Sequence, residues 1–98
     1  MDYLAIHPGE ILREEYLAPT GMSAGALARA LDVPRTRIER LVTERTSVTP
    51  DTALRLAQYY GSSPQFWLNM QASYDLATVP AADVRRIQKI RRREPEAE

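Results

Sequence analysis

The clearest periodicity lies in the middle of the chain. Ala24, Leu27, Ala28 and Leu31 recur at i, i+3, i+4 and i+7, the spacing of one buried helix stripe, and Ser23 stands before them as a cap. The pattern stops near Asp32. After the tripeptide "DVP", Ile38, Leu41 and Val42 fall on one face of another helix, so two short helices meet across a tight turn. Ala53, Leu56, Ala57 and Tyr60 mark a helix over about 50–60 that ends at Gly61. The next, over about 64–77, carries two apolar stripes. Phe66, Trp67, Met70 and Tyr74 form one and are expected to be core that pins the first helix. Leu68, Ala72 and Leu76 lie nearly opposite, and they need a cover: a sixth helix folding back, or the same stripe of a second subunit in a homodimer.

Proline marks the remaining starts. "HPGEILREEYL" opens with Pro8 and places Glu10 in the first turn, predicting a helix over about 8–17. Thr49-Pro50 and Ser63-Pro64 open the fourth and fifth helices. Beyond Pro80 a sixth is predicted over about 81–92, with a thin Val84, Ile87, Ile90 stripe opposed by Arg85, Arg86, Lys89, Arg92 and Arg93. No strand pattern or repeat interrupts this all-α reading. The expected organisation is one domain over 1–78, a basic C-terminal helix over 79–93 and a disordered acidic tail over 94–98.

Composition narrows the chemistry. A chain of 98 residues holds a single core, and without cysteine it has no disulfide, thiolate metal site or thiol nucleophile. No apolar run reaches the roughly 18 residues of a membrane span, and "MDYLAIHPGE" lacks the basic start and apolar block of an export signal. A soluble, cytoplasmic protein without a membrane partner is expected. Net charge is zero, so any polyanion binding must rest on where the charges sit. Residues 1–22 carry one Arg against four acids, whereas residues 23–46 carry five Arg against three.

Residues 23–42 have the dimensions of a DNA-binding helix-turn-helix. On the outer face of its second helix Thr36 and Arg40 point away from Ile38, Leu41 and Val42, with Arg37 on the flank and Arg35 at the start. These four are the candidate base readers, because Arg can donate two hydrogen bonds to guanine and Thr offers a hydroxyl and a methyl. Ser23, Thr43 and Arg45 are the candidate phosphate contacts. The competing reading is a solvated face on which Glu39 pairs with Arg35 at i, i+4.

The stretch "ALARALDVPRTRIERLV" resembles the helix-turn-helix of the lambda-repressor-like, or XRE, superfamily, a five-helix domain, here with an additional C-terminal helix. "HPGEILREEYLAPTGMS" and "VTPDTALRLAQYYGSSPQFWLNMQASYDL" are similar to the start and end of HigA-type antitoxins. That resemblance implies an antidote that neutralises an mRNA-cleaving toxin of the HigB (RelE-like) class and, as a dimer on double-stranded operator DNA, represses their operon. The chain departs from the family at Thr43 and Glu44, where Asn-Gly is frequent, and at Asp32, where Gly is frequent. Glu would take a left-handed conformation only at a cost, and Asp at a smaller one.

His7, the only histidine, has no partner ligands and reads as a helix-start residue, so neither metal nor other cofactor is expected. Glu10 and Glu14 form the nearest acidic pair, which reads as a solvated face rather than a catalytic one, and no enzyme is expected. In a secondary role the acidic first helix could attract a basic toxin. Two alternatives stand beside the antitoxin: a solitary XRE-type repressor, and a protein-interaction module that does not bind DNA.

Overall fold

The computed structural model describes residues 6–95, and within them the chain forms six helices and no strand. Helix α1 begins as Pro8–Ile11, passes through a wide π-helical turn at Leu12–Leu17 and closes with Ala18–Thr20. It outruns the predicted end at residue 17. Pro19 lacks an N–H for the ladder and its ring crowds the carbonyl four residues before, and the helix widens ahead of it, with the Ala18 N–H bonding Arg13 O. The stop is Gly21, in the left-handed region at φ 63°.

Helices α2 (Ala24–Leu31) and α3 (Arg35–Val42) form the predicted pair. Ser23 caps α2, its hydroxyl accepting from the Ala26 N–H at 3.0 Å, and Asp32 ends it at φ 59°. Helices α4 (Pro50–Tyr60) and α5 (Pro64–Ala77) have Thr49 and Ser63 as caps, as read from the sequence. Leu12, Leu27, Ile38, Leu41, Leu56 and Trp67 are buried at the centre, each contributed by α1 to α5. Trp67 meets the Tyr16 ring at a tilt, with centroids 5.3 Å apart, and donates its indole N–H to Ser62 Oγ at 3.2 Å. Tyr74 lies edge-on to the His7 ring at 4.8 Å. The expected pinning of α1 is therefore made by Trp67 and Tyr74. Phe66 departs from that expectation: it is 40% exposed, resting on Trp67 at the rim.

Helix α6 (Ala81–Gln88) is four residues shorter than predicted at its C-terminal end, Lys89 being its C-cap. It does not fold back on α5: Leu76 is 77% and Ile90 72% exposed. Leu68 packs against the core, while Ala72 and Leu76 stay open. Residues 96–98 of the expected acidic tail lie outside the described residues. No helix among them is long and apolar enough to cross a membrane.

Candidate nucleic-acid interface

The seating of α1 on α3 fixes the recognition surface. His7 Nδ1 accepts the Gly9 N–H at 2.8 Å, which caps α1 and confirms the helix-start reading of the histidine. A Cβ at Gly9 would fall 1.8 Å from Leu41 O, so α1 meets the α3 backbone where only glycine fits. One turn later Arg13 donates to the Val42 carbonyl at the end of α3 and lies 3.6 Å from Glu44. Hydrogen bonding to Glu14 raises the Arg13 pKa above its usual value, and the Glu14 and Glu44 charges add to it. Past α3 the chain turns on Glu44 at φ 64°, the left-handed geometry that the sequence flagged as costly for this residue.

From below, Arg55 of α4 donates to Leu31 O at 2.8 Å and to Asp32 O at 3.3 Å, closing the end of α2. The same guanidinium donates to Asp51 Oδ1 at 2.7 Å. Asp51 Oδ1 also accepts from Arg37 Nη1 at 2.6 Å. Two arginines on one carboxylate hold its pKa below the usual carboxylate value, Arg55 contributing more than Arg37.

The four candidate base readers thus divide. Thr36 and Arg40 are exposed and make no side-chain bond to any described residue. Arg37 is tied to Asp51, which the sequence did not signal because the partner is fourteen residues away. Arg35 pairs with Glu39 at 3.1 Å, and its methylenes lie against Gly25 on α2 rather than reaching forward. Among the phosphate candidates Arg45 is exposed without a charge partner among the described residues, and Ser23 sits at the α2 N-terminus, where N–H groups converge. Thr43 differs: its hydroxyl donates to Glu39 O at 2.8 Å, with Arg40 O at 3.2 Å as a second acceptor. Its proton is held inside the helix end, leaving an acceptor where phosphate requires a donor. Thr36, Glu39, Arg40, Thr43 and Arg45 nevertheless line one shallow depression.

Residues 12–67 match the family model described as "Helix-turn-helix". "Virulence-associated protein I" of Dichelobacter nodosus is 62% identical over 72 residues, which cover 74% of this chain and 67% of that protein. "Antitoxin HigA-1" of Vibrio cholerae is 40% identical over 68 residues, 69% of this chain and 64% of that one. The solved structure of "Pseudomonas aeruginosa antitoxin HigA with higBA promoter" superposes with a TM-score of 0.84 at 44% identity, over 89% of this chain and 96% of that chain. The chain belongs to the helix-turn-helix family, among its HigA-type proteins.

In this helix-turn-helix protein the second flank of α3 carries residues that the sequence reading passed over. Thr36, Arg37 and Arg40 share a cleft with Thr46, Ser47 and Thr49. The available signal was the run of four hydroxyl residues between 43 and 49, directly after a recognition helix. Gln71 was also missed: its Oε1 accepts the buried Val48 N–H at 2.8 Å and fixes the end of that loop on α5. Among the described residues no group of three His, Cys, Asp or Glu side chains is placed to hold a metal ion.

Proposed function

We propose that this chain is a sequence-specific DNA-binding antitoxin. It presents α3 to the major groove of its operator, represses its own operon, and neutralises a HigB/RelE-like mRNA-cleaving toxin in the cytoplasm, by binding and not by catalysis. The observation that carries the DNA-binding half is the pair of guanidinium groups, Arg40 and Arg45, standing free beside Thr36 on the outer face of the second helix of a helix-turn-helix. The likeness to a HigA antitoxin solved with its promoter supports both halves. As a homodimer meeting through the α5 stripe of Leu68, Ala72 and Leu76, of which Ala72 and Leu76 are open and Leu68 is half-buried, two copies would place their α3 helices on half-sites about 34 Å apart.

Binding to the duplex upstream of the gene and to a scrambled duplex, each at several salt concentrations, tests the reading. Arg40→Ala should weaken operator binding by about 1 to 3 kcal/mol and relax preference at one base pair. Arg45→Ala should weaken both duplexes alike and lower the salt slope by about one. A wild type that ignores both duplexes would leave a protein-interaction module. Co-expression with the neighbouring small basic protein and gel filtration tests the toxin: separate elution, with no growth inhibition by that protein alone, would leave a solitary repressor.

A further inference from the structure

The charge chain Arg55–Asp51–Arg37 runs from the α2–α3 turn to the recognition surface, and it assigns Asp51 a role that rests on the DNA-binding reading. We infer that Asp51 is a specificity-determining residue: it tethers Arg37, keeping that guanidinium from neutralising phosphates at random and leaving it available only to a base edge that comes to it. Asp51 lines the cleft that also holds Thr36, Arg37, Arg40 and Thr46, so geometry, not sequence proximity, puts its carboxylate on the same side of the molecule as the outer face of α3. It accepts from Arg37 Nη1 at 2.6 Å and from Arg55 Nε at 2.7 Å through one oxygen, Oδ1. Arg55 is in turn fixed on the Leu31 carbonyl, so the anchor of the tether belongs to the fold itself. Arg40 and Arg45 have no such anchor among the described residues.

The physical consequence follows from the two kinds of contact. A phosphate is met everywhere along a duplex, and every free arginine that neutralises one adds affinity without information. An arginine held by a carboxylate must give up that partner before it can join in, whereas its remaining N–H donors can still bond a base edge presented in the right place. The tether thus subtracts from binding to any DNA more than from binding to the operator. A surface ion pair is weak enough to be competed with, so its effect is read in the ratio between two duplexes.

The experiment compares wild type, Asp51→Asn, Arg37→Ala and the double variant on the upstream duplex and a scrambled duplex over a range of salt, with thermal melts confirming folding. Asp51→Asn should bind scrambled DNA about three-fold tighter, with a salt slope steeper by about one, and should gain less on the operator. In the Arg37→Ala background the same substitution should do nothing to scrambled binding, because no Arg37 guanidinium remains to be released and Arg55 stays on the Leu31 and Asp32 carbonyls. A gain that persists without Arg37 would make Asp51 a bare repelling charge and overturn the tether. Equal changes on both duplexes, or none on either, would overturn it as well. If Asp51→Asn melts far below wild type, the less disruptive Asp51→Glu, which keeps the charge and lengthens the arm, takes its place: scrambled binding within two-fold of wild type supports the tether, and the three-fold gain contradicts it. A wild type that binds the two duplexes equally would instead remove the sequence-specific reading on which the tether rests.

Discussion

Helices α1 and α6 stand at opposite ends of the described chain, and both were predicted from a leading proline, yet the structure treats them differently. Helix α1 is held at successive points: His7 caps it, Gly9 lies against the Leu41 carbonyl, Arg13 bonds the Val42 carbonyl, and Trp67 covers Tyr16. Helix α6 has a backbone cap at Pro80 and an Asp83–Arg86 pair on its own surface, while Ile87 and Ile90 remain exposed. An apolar stripe makes a helix able to dock, but docking requires a surface of matching shape. The end of α3 supplies one to α1 through a missing Cβ; no element of the described residues supplies one to α6.

The largest effect should come from breaking the α1 contact. Gly9→Ala puts a methyl where the Leu41 carbonyl stands, and neither backbone can yield without tilting α3, so stability should fall by at least about 3 kcal/mol in urea unfolding. Full stability in that variant would mean that α1 is not seated on α3. Glu44→Gly should act in the opposite direction. It relieves a left-handed non-glycine residue at φ 64° and gives up only a 3.6 Å surface contact with Arg13, for a gain of about 1 kcal/mol. A loss would show that the Arg13–Glu44 contact outweighs the backbone strain. The smallest effect is expected at the other end of the chain: Ile87→Ser with Ile90→Ser should leave the urea midpoint of dilute protein within about 0.5 kcal/mol of wild type. A larger loss would mean that α6 is packed in solution and would erase the contrast with α1.

Much of the recognition surface was legible because helical periodicity sorts residues into faces without knowledge of neighbours. Ile38, Leu41 and Val42 are buried, and Thr36 and Arg40 point outward, as the 100° register required. The i, i+4 pairing of Arg35 with Glu39 was legible for the same reason, since it is fixed within one helix. The Arg37–Asp51 pair was not legible because Asp51 lies on another helix, and no local rule brings α3 and α4 together. Thr43 was read as a phosphate contact from its place just after the recognition helix; that its hydroxyl proton returns to a carbonyl three or four residues back was not weighed.

By itself, then, the sequence determined the helices, their caps at Ser23, Thr49 and Ser63, the left-handed stop at Gly61, and which face of α3 turns outward. Each of these depends on residues within one or two turns of one another, where spacing and side-chain type fix the geometry. The tertiary structure alone decided which arginines stand free, which glycine admits a neighbouring backbone, and which apolar stripe finds a cover. Those outcomes depend on pairs such as Gly9 with Leu41, Arg13 with Val42, Arg37 with Asp51 and Val48 with Gln71. Such contacts form only when the helices pack, because the chain between the partners carries no periodic signal of where its ends will meet.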